Sequence, residues 1–168
     1  MPPESQTQIG RTAPDFELPA IVEGGDEAMV RLSQYRGSKV VLFFYPKDMT
    51  PACTQESCDF RDAGALLSAE DSNTVILGIS TNDLKSHRKF ADKYNLGYPL
   101  LADVEHKVCE QYGVWQEKKL YGRAYMGIVR STFLIDENGK LLKEWRSLKV
   151  KGHVDEVVET IRALRGSK

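Results

Sequence analysis

Cysteine is scarce: three in 168 residues are too few, and the wrong parity, for a secreted disulfide scaffold. Net charge is scarce too. Lys and Arg number 23 against 24 Asp and Glu, leaving −1 at pH 7, which removes a whole-molecule case for binding nucleic acid or an anionic membrane. The longest apolar run, Val40 to Tyr45, falls far short of the roughly 20 residues that span a bilayer. The opening MPPESQTQIG has neither a basic start nor an apolar centre, so no secretory signal is visible and a cytoplasmic, reducing environment is expected. No glycine-rich phosphate loop follows the first buried run, which disfavours a nucleotide. His87, His106 and His153 share no metal-ligand spacing with one another or with the cysteines and are expected at the surface. Repeats and Pro/Ser-rich linkers are also missing.

What is present suits one ordinary domain. Hydrophobic residues make up 41% and charged residues 28%, which excludes wholesale disorder, and a chain of about 150 residues buries roughly 70% of its unfolded surface. The chain divides into a polar tail over 1–8 and a single domain over 9–165. Within it, Phe16–Leu18 and Met29–Leu32 read as short strands around the turn-rich Glu23–Asp26. Lys39–Tyr45 is β-branched and aromatic without polar alternation, as a central strand buried on both faces would be. Phe60, Ala63, Gly64 and Leu67 recur at helical spacing, and Thr74–Ser80 is a second buried strand, completing a βαβ unit. Leu84, Phe90, Ala91 and Tyr94 mark another helix, Tyr98–Leu101 a short edge-like strand, and Val104–Tyr112 a brief helix closed by Gly113. Ser131–Asp136 and Lys140–Trp145 form a hairpin through Asn138-Gly139. Val154, Val157, Val158, Ile161 and Leu164 then give an amphipathic helix. A parallel βαβ half followed by an antiparallel ββα half is the thioredoxin-like α/β layout: a central mixed sheet flanked by helices. Such sheets bind ligands beyond the carboxyl ends of their strands, where the first helix begins.

That place is occupied by Tyr45-Pro46-Lys47-Asp48-Met49-Thr50-Pro51-Ala52-Cys53-Thr54-Gln55-Glu56-Ser57-Cys58. Thr50 followed by Pro51 reads as an N-cap with proline in the first helical position. Cys53 then sits in the first turn, where unpaired N–H groups and the positive end of the helix dipole favour its thiolate. An ordinary thiol, with pKa about 8.5, is only a few per cent ionised at neutral pH. Cys58 lies five positions on. In an ideal helix the two Cα atoms are roughly 8–9 Å apart and face directions about 140° apart, beyond the roughly 7 Å that a disulfide spans. If the pair bonds, the helix must unwind locally, giving a switch that is folded when reduced and loosened when oxidised. Cys109 reads as a small buried hydrophobe. Lys118-Lys119 with Arg123, and Arg146, Lys149 and Lys151, read as solvated faces. Arg130 alone reads as an exposed charge opening the apolar run Ser131–Ile135.

The run Phe43–Asp62 resembles the active-site region of peroxiredoxins, and within them the PrxQ or bacterioferritin comigratory protein type. The resemblance rests on Pro46-x-x-x-Thr50-x-x-Cys53, on Cys53-Thr54-x-Glu56-x-Cys58, on Ala13-Pro14-Asp15-Phe16, on Gly113-Val114-Trp115 and on Arg130–Asp136. It runs from about Ile9 to Leu164 and implies peroxiredoxin-type N-terminal strands added to the thioredoxin-like fold. It further implies a thiol peroxidase in which Cys53 is the peroxidatic cysteine and Cys58 the resolving one. Thr50 would hydrogen-bond the peroxide, Pro46 would shield the thiolate, and Arg130 would stabilise thiolate and transition state. An atypical two-cysteine cycle through an intramolecular Cys53–Cys58 disulfide is implied, recycled by a thioredoxin or glutaredoxin-type reductant. No cofactor or metal is implied, and the resemblance leans towards a monomer. Met49 stands where a polar residue is frequent and Ala52 where glycine is frequent; both neighbour the reacting groups without replacing one. Two other readings compete: a thioredoxin-like disulfide oxidoreductase, which would present C-x-x-C at the helix start, and a non-enzymatic thiol redox sensor.

Overall fold

Lys39–Phe44, strand β3, sends Val40, Leu42 and Phe44 to one side and Val41 and Phe43 to the other, with Tyr45 continuing the second row. Both rows are buried, because β3 lies inside a seven-stranded sheet. The computed structural model describes residues 6–70 and 73–165. In chain order, β1 (Glu17–Ile21) and β2 (Glu27–Arg31) precede β3. They are followed by α1 (Pro51–Ala69), β4 (Thr74–Ser80), α2 (Leu84–Tyr94), β5 (Leu100–Ala102) and α3 (Lys107–Gln111). Then come β6 (Trp115–Leu120), β7 (Arg123–Ile128), β8 (Ser131–Ile135), β9 (Leu141–Trp145) and α4 (His153–Arg165).

The main sheet has the order β2-β1-β5-β4-β3-β8-β9. β3, β4 and β5 run parallel, joined by α1 and α2, whereas β8 and β9 return antiparallel. The thioredoxin-like mixed sheet read from the sequence is therefore present. On one face Phe60, Ala63 and Leu67 of α1, Phe90 of α2, and Val154, Val157, Val158 and Ile161 of α4 close over Val41 and Phe43. On the other, Val108 and Cys109 of α3 join Tyr112, Val114 and the N-terminal Ala13 and Phe16 over Leu42 and Phe44. Gly78 of β4 is required by this packing: a Cβ there would stand 3.0 Å from both Phe43 and Leu100.

Three expectations change. The strand at Tyr98–Leu101 is not at an edge: β5 is wholly buried between β4 and β1, because the N-terminal strands cover the side that would otherwise be open. The brief helix begins at Lys107 rather than Val104, since His106 takes a left-handed conformation, φ 53°. A second sheet, the hairpin β6–β7, carries no strong strand pattern, because its QEKKL stretch is polar and the residues of β6 are all half-buried or exposed. Tyr121 and Gly122 form its two-residue turn with φ of 51° and 78°, the geometry of a type I′ hairpin. Residues 1–5 of the polar tail lie outside the described residues. Gln6 N–H donates to the Gln111 carbonyl, and Arg146 donates to the Thr7 hydroxyl. No helix among the described residues is long and apolar enough to cross a membrane.

Candidate active site

The chain leaves β3 at Tyr45, turns through Met49 in a left-handed conformation (φ 68°), and enters α1 at Pro51. Thr50 holds the cap position with extended backbone (φ −77°, ψ 151°), and its carbonyl accepts the first helical bond from Thr54. Its side chain does not cap the helix. The Thr50 hydroxyl instead donates to the Lys47 carbonyl at 2.8 Å, which corrects the expected capping contact. A nearby loop carbonyl, within reach of a donor three residues on, outcompetes the helix N–H groups for this hydroxyl. Helix geometry therefore leaves the N–H groups of Ala52 and Cys53 without a carbonyl or a cap.

Cys53 is buried, with 1% of its surface exposed. The Arg130 guanidinium, in the short connection between β7 and β8, donates from Nη2 to Cys53 Sγ at 3.3 Å. From Nη1 it donates to Glu56 Oε1 at 2.7 Å. Arg130 is thus not the exposed strand-end charge that its position alone suggested; its side chain is 14% exposed. Glu56 is completely buried, one turn below Cys53. Burial pushes its carboxyl up to about 7, although the Arg130 charge and hydrogen bond pull it down. Pro46, half-buried, starts the loop between β3 and α1.

Cys58 is half-buried on the next part of α1, and all three thiols are free. Desolvation raises its pKa, Arg61 opposes this, and Asp62 and Asp59 reinforce it. Residues 53–58 are fully helical, so the two thiols occupy the geometry that the spacing predicts. Cys109 is buried on the inward side of α3, and desolvation with the Asp103 carboxylate raises its thiol far above the ordinary range. Among the described residues no cluster of three or more His, Cys, Asp and Glu is placed to hold a metal.

This arrangement can stabilise an anion on sulfur and offer hydrogen-bond donors to an oxygen approaching it. The AhpC/TSA family model matches residues 9–143. The chain belongs to the AhpC/TSA family. Peroxiredoxin Bcp of Bacillus subtilis is 50% identical over 155 residues, covering 92% of this chain and 95% of that one. Peroxiredoxin Bcp of Escherichia coli K12 is 39% identical over 155 residues, with 92% and 96% coverage. A solved PrxQ mutant of Xylella fastidiosa superposes with TM-score 0.83 at 34% identity, over 96% of this chain and 99% of that one. The bacterioferritin comigratory protein of Xanthomonas campestris, solved in connection with alkyl peroxide reduction, gives TM-score 0.75 at 37% identity, over 88% and 90%. The chain is accordingly a peroxiredoxin-family enzyme of the Bcp/PrxQ type.

In this peroxiredoxin several groups around the loop escaped the reading of the sequence. Glu56 falls in the buried stripe Cys53, Glu56, Ser57, Phe60, Ala63, Leu67 of α1. A carboxylate in such a stripe demands a cation, and that was the available signal. The histidines were expected at the surface, yet His87 is fully buried and His153 is 3% exposed. Both face inward on their helices. His153 packs against Phe60 and Trp145 and shares a 2.8 Å hydrogen bond with the Thr132 hydroxyl; burial chiefly, with Arg130 adding to it, pushes its pKa down to about 4.

His87 anchors the loop itself. Its Nε2 lies 2.8 Å from the Leu101 carbonyl, which only accepts, so Nε2 carries a proton. Its Nδ1 lies 2.8 Å from Asp48 Oδ2, so ring and carboxyl share a proton there. Asp48 also accepts from the Tyr45 hydroxyl at 2.6 Å and the Ser86 hydroxyl at 2.7 Å, while its backbone N–H donates to Asn82. Three elements thereby fix the loop that carries Pro46 and Thr50. Asp48→Ala leaves the buried Tyr45 hydroxyl and His87 ring and the half-buried Ser86 hydroxyl without their shared partner, and a loss of about 3–5 kcal/mol is expected. Urea denaturation of the reduced protein measures it; a loss below about 1 kcal/mol would show that the network does not anchor the loop.

Proposed function

We propose that this enzyme reduces hydrogen peroxide and organic hydroperoxides at Cys53, with Cys58 resolving the product and a thioredoxin-type dithiol protein closing the cycle. The observation that carries this reading is the single guanidinium of Arg130 held against a buried sulfur at a helix N-terminus. Charge on that sulfur is favoured by Arg130 and by the first-turn N–H groups. The Cys53 thiolate attacks the terminal oxygen of ROOH, an S–O bond forms, the O–O bond breaks, and the departing alkoxide takes a proton to leave as alcohol or water. Negative charge passes from sulfur to the O–O group, so Arg130 and the N–H groups of Ala52 and Cys53 stabilise the transition state from fixed positions. The Thr50 hydroxyl has committed its own proton to the Lys47 carbonyl. Its lone pairs therefore accept a hydrogen bond from the peroxide O–H. Pro46 limits the access of water to the sulfur.

The sulfenic acid then meets Cys58. Its thiolate attacks the Cys53 sulfur, hydroxide leaves as water, and a disulfide forms. Because residues 53–58 are helical, the first turns of α1 must unwind for that bond to close. External dithiol exchange returns both thiols. Cys58→Ser is expected to consume about one equivalent of peroxide per chain, to yield a trappable sulfenic acid, and to stall with a thioredoxin system. Steady-state peroxide consumption beside a sulfenic-acid probe tests this; full turnover in the variant would remove Cys58 from the cycle. The same assay separates the competing classes: continuous turnover marks the enzyme, a single stoichiometric oxidation marks a sensor. No C-x-x-C stands at the helix start, which disfavours a disulfide oxidoreductase.

A further inference from the structure

For Cys58 to reach Cys53, the peptide unit joining Ser57 to Cys58 has to leave its helical orientation. The carbonyl of that peptide is not left to the helix alone. As part of α1 the Ser57 oxygen faces the N–H of Arg61, one turn on. It also accepts from the Tyr98 hydroxyl at 2.8 Å, a buried hydrogen bond across 41 positions of sequence. Burial raises the Tyr98 pKa well above the ordinary tyrosine range, so the hydroxyl keeps its proton and donates. Tyr98 is itself firmly held. It stands two residues before β5 and next to Pro99, whose carbonyl accepts from Gly78 of β4. Its ring meets Phe43 of β3 edge-on at 5.9 Å, and Phe43 stacks on Phe60 of α1 at 4.5 Å. The backbone of α1 is thus fastened to the sheet immediately before Cys58.

Among the described residues, hydrogen bonds reach 53–58 from outside α1 at two places. Arg130 grips the side chains of Cys53 and Glu56, and Tyr98 grips the Ser57 carbonyl. Only the second lies on the peptide that must turn. Three buried atoms of the same stretch work against the folded helix: Thr54 Oγ1, Glu56 Oε2 and Ser57 Oγ have no hydrogen-bond partner among the described residues. They regain solvation when the stretch opens. Beyond Cys58, the Arg61 guanidinium donates to the Tyr94 carbonyl at 2.7 Å, at the end of α2, which ties down the next turn. The loose stretch is therefore bounded.

We infer that Tyr98 is a positioning residue of the resolving step: its hydroxyl latches the Ser57–Cys58 peptide into α1, and that bond breaks before Cys58 reaches the Cys53 sulfenic acid. The latch sets how long the sulfenic acid waits. During that wait a second ROOH can transfer one oxygen to the sulfur, giving the sulfinic acid, and leave as ROH. The role rests on Cys53 and Cys58 being the peroxidatic and resolving pair.

The test follows a single turnover. Reduced protein is mixed with about one equivalent of hydrogen peroxide and quenched at intervals into a sulfenic-acid probe, and mass spectrometry counts sulfenic acid and disulfide. Tyr98→Phe keeps the ring packing and removes the bond. Its resolving rate is expected to rise about two- to ten-fold, with the rate of sulfenic acid formation unchanged. Sulfinic acid formed under excess peroxide should fall by a similar factor, and amide exchange over 54–61 of the reduced variant should quicken while the rest of the chain does not. Ile161→Val, a core cut of comparable cost in α4, is expected to leave the resolving rate alone. Equal acceleration in Ile161→Val overturns the inference as a general loosening. So does a fold lost in Tyr98→Phe, because the hydroxyl would then hold the whole molecule rather than one turn. A changed rate of sulfenic acid formation overturns it by placing the effect at Cys53. An unchanged or slower resolving rate overturns it while leaving the two-cysteine reading intact. If the unaltered protein forms no Cys53–Cys58 disulfide, that reading and the inference fall together.

Discussion

Cys53→Ser is expected to bring peroxide reduction down to background, a loss on the order of 10⁴-fold or more. A serine hydroxyl does not ionise at neutral pH, so Arg130 and the helix N-terminus have no anion to stabilise and no sulfenic acid forms. Neither remaining thiol is placed to substitute. Cys58 is half-buried, and burial with Asp62 and Asp59 raises its pKa. Cys109 is buried on the inward side of α3, where desolvation and Asp103 keep it protonated. Stopped-flow peroxide consumption with a dithiol donor measures the loss, and thermal unfolding of the variant checks that the fold survives. A Cys53→Ser protein that still turned over peroxide at the rate of the unaltered enzyme would move the nucleophile elsewhere.

How much of this could be read from the chain follows from how local each signal is. The strand ending at Tyr45, the Thr50-Pro51 helix start and Cys53 lie within ten residues, and their geometry is dictated by short-range backbone rules. The parallel βαβ half and its antiparallel return were also accessible from the buried runs of β3, β4 and β8, but the interior place of β5 was not, because it depends on pairing with the distant N-terminal strand β1. Arg130 was different. Its partner is 77 positions away, and a strand-end arginine looks the same in sequence whether it meets solvent or sulfur. The resemblance to peroxiredoxins, not periodicity, singled it out. Thr50 shows the limit of a local rule: the cap position was legible, but the choice between a helix N–H and the Lys47 carbonyl depends on how the loop is folded. That loop is set by the Tyr45–Asp48–His87 cluster, assembled from β3, the loop and α2, and no pattern in one segment announces it. The polar β6–β7 hairpin stayed hidden for a different reason: its QEKKL stretch offers no apolar alternation from which a strand can be read.

Arg130→Met separates the chemistry of the guanidinium from its structural duty. Loss of a fixed donor to the developing charge is expected to lower kcat/KM for peroxide by about 10²–10³-fold and to raise the pH at which Cys53 becomes reactive. The same substitution also strands Glu56, a fully buried carboxyl, at a stability cost of about 3–5 kcal/mol if it must stay ionised. The sign of the pH dependence follows from the direction of its shift. Glu56 titrates at about 7 in the fold against an ordinary value of 4.5, so the folded state binds the proton more tightly. Its contribution to stability is present below pH 4.5 and is lost as the pH rises through about 7. Arg130 is the group that pulls Glu56 down. Without it the carboxyl titrates higher still, and Arg130→Met is expected to be destabilised more at pH 8 than at pH 5. Glu56→Gln in the same chain removes the buried acid. The double variant should therefore recover much of the stability at pH 8 while its kcat/KM stays low. Denaturant unfolding at both pH values, beside peroxide kinetics of the three variants, reads the two effects independently. If the double variant regained activity along with stability, Arg130 would act by neutralising Glu56 rather than by stabilising charge at Cys53.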